Sequence, residues 1–411
     1  MSDSAHQVVL TSDALRRLLV SLIVVEQAPR LRAGAIGPEA SLERLALTLD
    51  DDGIDGLSID EDALGFDSLA RLDLILRVNR FFGLHATGVE DYLLVHRRIG
   101  EWIGLIQKHF EMLVGPATFT FETSGSSGPP KQVAHDLTTL STEVAALSAG
   151  PLSGLDPQGR ILALVPPHHI FGFLFTCLLP SLGHRDVVDL HRGAPGSVFS
   201  KCRPGDLVIA TPYIWGHLAA AGMMLPTGVS GVTSGGPSEE TTWTGSRAIG
   251  LSSLVEVYGA TETGGIGTRQ EREAPYRLLP HLIRAGEGIQ RGEDGPQLDL
   301  QDRLAWEDAE RFRVLGRRDD KVQVAGVNVS PVHVAETIRA VDGVDDLAVR
   351  FDDGRLRALV VPRPELAGDT AFEARLRKEI ASRLAPAARP SEIIFADVVP
   401  RSPIGKLMDW A

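Results

Sequence analysis

The stretch Phe119-Thr120-Phe121-Glu122-Thr123-Ser124-Gly125-Ser126-Ser127-Gly128-Pro129-Pro130-Lys131 decides how this chain folds. Its first four residues have the composition of a strand, and the nine that follow are mostly small hydroxyls and glycines ending in one cation. Glycines let backbone N–H groups approach anionic oxygens, hydroxyls add donors, and Lys131 brings positive charge, so the loop suits a phosphate. It is not a Walker A loop, because Lys131 is followed by Gln132 and preceded by two prolines. Composition alone leaves an ordinary flexible turn as the other reading.

Four further stretches follow the loop: Pro166-Pro167-His168-His169-Ile170-Phe171-Gly172, Ser234-Gly235-Gly236-Pro237, Tyr258-Gly259-Ala260-Thr261-Glu262 and Gly316-Arg317-Arg318-Asp319. In this order they resemble the motifs of adenylate-forming enzymes, the superfamily of acyl-CoA synthetases, non-ribosomal peptide adenylation domains and luciferases. Their phosphate loop reads T-S-G-[ST]-[ST]-G-x-P-K, and Thr123 to Lys131 fit it at every position. The resemblance implies that Thr123, Ser124, Gly125, Ser126, Ser127, Gly128 and Lys131 hold the phosphates of ATP. It implies that His169 stands beside the acyl pocket, that Gly235 and Gly236 pack on adenine, and that Tyr258 stacks on it. Thr261 would reach phosphate and Glu262 would hold Mg2+. Asp302 and Arg317 would hold the ribose, although Leu300-Gln301 precedes Asp302 where the family has Thr-Gly. Asp319 would be the hinge between domains.

The C-terminal part has the composition of a small α+β unit. Strands are expected at Val322 to Val324 and in a hairpin of Leu347 to Phe351 with Arg357 to Val361, turning at Asp353-Gly354. Helices are expected at Ser330 to Ala340 and around Phe372, Leu376, Ile380 and Leu384, spaced by four. Pro400-Arg401-Ser402-Pro403-Ile404-Gly405-Lys406 resembles the family's closing P-x-x-x-x-G-K, which makes Lys406 its catalytic lysine. Two anions, a carboxylate and the α-phosphate of ATP, must meet while pyrophosphate leaves, and a fixed ammonium bridges them. In the family this lid then rotates to bring its glycine strand, here Val324-Ala325-Gly326, to the thiol tunnel.

Ahead of the loop, Asp50 to Asp67 carries eight acidic residues and no Lys or Arg. It runs into Leu64-Gly65-Phe66-Asp67-Ser68-Leu69, after which Leu69, Leu72, Leu76, Ile75 and Phe82 suggest an amphipathic helix starting at Ser68. A second helical stretch is expected at Asp91 to Ile106. The D-S-L triplet reads as a helix cap. Its surroundings also resemble an acyl carrier protein over roughly residues 10–107, a likeness that would put 4'-phosphopantetheine on Ser68 through a phosphopantetheinyl transferase. Arg71 and Arg77 depart from that family's acidic docking face.

The expected fold is α/β: a compact adenylate-forming core at 113–318, an acyl-carrier-like helical module at 1–112 and an α+β lid at 319–411. The core lacks the subdomain of over a hundred residues that the family usually has before its phosphate loop. With 41 Lys+Arg against 54 Asp+Glu, the net charge of -13 argues against nucleic-acid binding. Two cysteines suit a reducing compartment, and MSDSAHQVVL has no basic start, so a cytoplasmic protein without a membrane segment is expected.

The function expected is ATP- and Mg2+-dependent activation of a carboxylic acid as acyl-AMP, then transfer to a phosphopantetheine thiol on Ser68 or on a separate carrier protein. An acyl- or aryl-CoA ligase using free coenzyme A is the alternative, which Asn328, where such ligases often have arginine, mildly disfavours. A carrier or interaction protein with a degenerate core is the second alternative. Tyr258 to Gly265 and Asp302-Arg303 also resemble the adenylation enzymes of aryl polyene pigment clusters, pointing to an aromatic or unsaturated acid.

Overall fold

The computed structural model describes residues 10–122, 131–317, 322–324, 327–352, 355–402 and 405–410. Thr123 to Gly128, expected to hold phosphate, Asp319, expected as the hinge, Gly326, expected at the thiol tunnel, and the expected turn at Asp353-Gly354 lie outside the described residues. The chain divides into two units, one of 1–284 with 290–296 and one of 285–289 with 297–411.

The first unit opens with α1 (Ser12–Arg32), started by the Thr11 hydroxyl, which accepts from Ala14 N, and buries Leu15, Leu18, Leu19, Leu22 and Ile23. Helix α2 (Ser68–Phe82) begins where expected. Asp67 caps it by accepting from Ala70 N at 2.8 Å, and Arg30 holds the same carboxylate at 2.7 Å. The buried face, however, is Ala70, Leu74, Ile75, Val78, Phe81 and Phe82, while Leu69, Leu72 and Leu76 are exposed. The phenylalanines bring more apolar area than the leucines and set which side turns inward. Helix α3 (Ile99–Met112) starts later than the expected Asp91, after a 3-10 segment at Val89–Leu94. The Glu101 carboxylate accepts from Arg97 N and Arg98 N at 3.0 and 2.9 Å, which fixes the start there.

Helix α2 lies on β1 (Thr118–Glu122), which pairs with β2 (Gln132–Asp136) in a hairpin. Phe81 meets Phe119 and Phe121 at ring distances of 5.9 and 5.6 Å, and Phe173 lies 4.6 Å from Phe119. Arg77 of α2 bonds Glu26 of α1 at 2.8 Å and Glu122 of β1 at 3.0 Å. The register Glu122↔Gln132 sets the two ends of the 123–131 connection side by side.

After α4 (Leu137–Ala149) comes a doubly wound sheet. Strands β3 (Ile161–Ala163), β4 (Val187–Asp189), β5 (Leu207–Ala210), β6 (Ser230–Thr233) and β7 (Ser253–Ala260) are parallel to their neighbours. Strands β8 (Gly264–Arg269) and β9 (Tyr276–Leu278) add antiparallel, giving the order β9-β8-β7-β6-β5-β3-β4. Helices α5 (Pro212–Ala220) and α6 (Glu240–Ala248) make the crossovers, and Trp215 and Trp243 pack with Val208, Ala210 and Leu254 in the core. Strands β3 and β5 are apolar and buried throughout, as strands covered on both faces must be.

Between β3 and β4 a helical rod runs through Ile170–Phe173, Leu174–Leu178 and Leu179–Gly183, its middle turn in π geometry. Pro180 has no N–H for the carbonyl of Thr176, so a regular α turn cannot close there. Among the described residues no helix is long and apolar enough to cross a membrane.

Two short strands, β10 (Leu282–Ala285) and β11 (Gly288–Arg291), precede the main part of the second unit. Among the described residues that part holds three groups of strands. Strands β12 (Asp302–Trp306) and β13 (Arg311–Arg317) pair antiparallel, as do β14 (Val322–Val324) and β15 (Val327–Val329). After α7 (Pro331–Arg339), the strands β16 (Val344–Asp352) and β17 (Arg355–Pro362) form the expected hairpin. Past α8 (Thr370–Arg383), strand β18 (Glu392–Phe395) joins β17 in parallel. Leu356, Ala358 and Val360 face α7 and α8, whereas Leu359 and Val361 face Val399 and Trp410, the period-two alternation of a covered strand.

Candidate functional site

In an open parallel sheet, ligands bind beyond the carboxyl ends of the strands. His169 follows β3, Gly235 and Gly236 follow β6, and Tyr258, Thr261 and Glu262 lie at the end of β7 and in its turn to β8. Lys131 immediately precedes β2, and is exposed. Gly235 takes φ 89°, a backbone that a side chain would strain, and both it and Gly236 are exposed.

Tyr258 leans on Tyr276 of β9, with ring centroids 5.4 Å apart. Behind them Glu256, 1% exposed, accepts from Ser238 N at 2.9 Å and from the Tyr276 hydroxyl at 2.8 Å, and pairs with Arg269. Arg269 in turn lies over the Tyr276 ring at 4.5 Å. Burial, with Glu256 beside it, pushes the Tyr276 hydroxyl far up, so it stays a donor. One buried carboxylate thus ties the glycine loop after β6 to the ring that supports Tyr258.

Thr261 and Glu262 are half-buried in the β7–β8 turn. His135 of β2 donates from Nε2 to Thr261 O at 2.6 Å, and burial holds its imidazole below the usual histidine range. Arg291 donates to Thr263 O at 2.6 Å, and Gly265 N donates to Glu143 of α4 at 2.8 Å.

His169 is the residue from which the rod starts, and its ring lies 4.3 Å from that of His168. His168 Nδ1 bonds the Ser21 hydroxyl of α1 at 2.7 Å, and burial keeps it well below its ordinary pKa. In β4, Asp189 is half-buried; its partial removal from water alone would raise it, but His191 and Arg192 hold it down at about 2.

In the second unit, Asp302 and Arg317 are register partners at the open end of the β12–β13 hairpin, so the two residues read as ribose contacts share one position in the ladder. Gly316, at φ 118°, sits beside the irregularity in that pairing. Lys406 is half-buried in a loop closed by Ser402 N donating to Lys406 O at 2.7 Å, and Arg401 anchors that loop to Asp346 through contacts of 2.8 and 2.9 Å. Ser68 is exposed at the first turn of α2.

Residues 116–282 match the family model described as AMP-binding enzyme. The chain is 43% identical over 403 residues to a 4-coumarate–CoA ligase of Cereibacter sphaeroides, covering 98% of this chain and 97% of that one. It is 44% identical over 401 residues to a 4-coumarate–CoA ligase of Rhodobacter capsulatus, covering 96% and 100%. The chain belongs to the AMP-binding enzyme family. Its fold is that of the adenylate-forming enzymes: ATP-bound MatB of Rhodopseudomonas palustris, 17% identical, aligns with a TM-score of 0.60 over 99% of this chain and 95% of its own. As an AMP-binding enzyme the protein is an ATP-dependent, adenylate-forming ligase.

Mg2+ is usually held by one or two carboxylates completed by substrate phosphates and water. Glu262 fits that pattern as a half-buried carboxylate in a braced turn, and among the described residues no cluster of three or more acids, histidines or cysteines offers a metal cage of its own. A cleft of about 280 Å³ lined by Ser230, Gly231, Ser253 and Gln270 opens at the amino ends of β6 and β7, the wrong end of the sheet for this chemistry. Motif reading missed His135, Glu143, Glu256, Tyr276 and Arg291, which touch the motif segments from other parts of the chain. Glu143 did carry a signal, as the one charged residue of Leu137 to Ala149.

Proposed function

We propose that this enzyme activates an aromatic, 4-coumarate-like acid as its adenylate and passes the acyl group to free coenzyme A. The observation that carries this reading is identity of 43 and 44% to two 4-coumarate–CoA ligases over nearly their full lengths. Because both relatives are covered almost end to end, the short stretch ahead of the phosphate loop is a property they share. This favours reading residues 10–112 as part of the enzyme, and coenzyme A as the thiol in place of a Ser68 arm.

In this reading Thr123 to Gly128 and Lys131 hold the phosphates, with Gly235, Gly236 and Tyr258 on adenine and Asp302 with Arg317 on ribose. Magnesium bound by Glu262 supplies charge compensation for departing pyrophosphate. His169 stands at the acyl pocket, and Lys406 presents an ammonium where the carboxylate and α-phosphate meet. Residues 319–411 act as a lid turning at Asp319, which brings Gly326 to the thiol for the second step.

The test is pyrophosphate exchange across a panel of hydroxycinnamic, benzoic and fatty acids, followed by thioester formation with coenzyme A. Hydroxycinnamates should give the highest rate and a coenzyme A thioester. Adenylate formation without transfer to coenzyme A, but with label retained on the protein, would instead support the Ser68 carrier arm.

A further inference from the structure

Thr261 and Glu262 sit in a turn whose backbone is gripped from three places in the first unit. His135 holds Thr261 O, Arg291 holds Thr263 O, and Glu143 receives the N–H of Gly265, at 2.6, 2.6 and 2.8 Å. Within the turn, the Thr263 hydroxyl accepts from Ala260 N at 3.1 Å and donates to Gly264 O at 2.9 Å.

Glu143 is the costly member of the group. Its side chain is fully buried on α4, and its second carboxyl oxygen has no hydrogen-bond partner among the described residues. A leucine or methionine would fill such a place without the desolvation that a carboxyl brings. What the carboxyl does there is receive Gly265. The pair Gly264-Gly265 is shaped around it, since a Cβ on either residue would collide with the carboxyl oxygens.

We propose that Glu143 is a positioning residue for adenylate formation: with His135 and Arg291 it locks the 261–265 backbone so that Thr261 and Glu262 present one arrangement to the nucleotide. This rests on the reading of those two residues given above. A turn on a braced backbone meets the transition state without reordering, and small misplacements at such sites cost large factors in rate.

Two variants separate the proposal from a packing role. Glu143→Gln keeps an acceptor for Gly265 N, whereas Glu143→Leu keeps the volume and removes the acceptor. In acid-dependent pyrophosphate exchange, the glutamine variant should stay within about threefold of wild-type kcat, and the leucine variant should lose about 30-fold or more with little change in KM for the acid. Amide hydrogen exchange over 261–265 should speed up in the leucine variant and not in the glutamine variant. Should Glu143→Leu fail to fold, Arg291→Met, at a half-buried position, is expected to lower kcat about tenfold and loosen the same amides. Wild-type kcat with unchanged exchange in Glu143→Leu, or in Arg291→Met if that variant replaces it, overturns the proposal, as does equal loss in the glutamine and leucine variants. A wild-type protein that activates no acid would overturn the functional reading itself and this inference with it.

Discussion

Arg17 donates from Nη2 to the carbonyl oxygen of Thr176 at 2.8 Å, reaching from α1 into the rod that begins at His169. Pro180, four residues beyond Thr176, offers that carbonyl no N–H, and the guanidinium of Arg17 supplies one. The helical N-terminal segment therefore gives a donor to a carbonyl of the rod that Pro180 cannot serve.

Removing that donor should loosen the rod. Arg17→Met, which keeps most of the aliphatic stem, is expected to cost about 2 kcal/mol in urea unfolding, the size of a charged hydrogen bond to a carbonyl. A midpoint within error of wild type at unchanged slope would mean that Thr176 finds another donor.

Lys406 is assigned a task only where two anions meet. Lys406→Ala should lower acid-dependent pyrophosphate exchange about 100-fold or more while ATP binding, followed by calorimetry, changes little. Undiminished exchange would remove Lys406 from the chemistry.

Ser68 is exposed beside Asp67, and the coenzyme A reading gives it only a place in the first turn of α2. Ser68→Ala should keep thioester formation with coenzyme A within about twofold of wild type. Incubation with coenzyme A and a broad phosphopantetheinyl transferase should leave the intact mass unchanged. An adduct that vanishes in the Ser68→Ala variant would restore the carrier reading.

Burial pushes the Glu143 carboxyl up to about 8, against the opposing Gly265 N–H and Arg291. The folded state then holds a proton that the unfolded chain has released above its usual 4.5, so this group's contribution to stability falls as pH rises through the window from 4.5 to about 8. His281, held down at about 4 by burial and Arg291, works the other way and costs stability as pH falls from 6.5 towards 4. Glu143→Gln should therefore gain on wild type in denaturation midpoint between about pH 5 and pH 8. A constant difference across that range would show that Glu143 is ionised throughout.

The candidate site was legible in the sequence only as motif segments, wherever one short segment carries it. Tyr258 to Glu262 follow the apolar run Leu251 to Val257 and sit at a strand end, and the strand ahead of the 123–131 loop was readable as Phe119 to Glu122. What spacing cannot give is the partner. Leu69, Leu72 and Leu76 fit a helical period as well as Leu74, Val78 and Phe81 do, and only contact with Phe119 and Phe121 decides which set turns inward. Likewise Gly265 and Glu143 are separated by 122 positions, and no local pattern joins them.

The phenylalanine rings shared by α2, α3, β1 and the rod have a consequence for how the molecule comes apart. Phe81 and Phe82 each pack edge-on against Phe119, and Phe110 of α3 meets both Phe82 and Phe119. Loss of α2 would strip the inner face of the hairpin that flanks the segment proposed to hold phosphate, exposing Phe119 and Phe121. Fraying of the helical segment and collapse of the nucleotide hairpin should then be one cooperative event, so a reporter placed on α2 would register nucleotide-dependent protection although nothing in α2 is assigned to touch ATP.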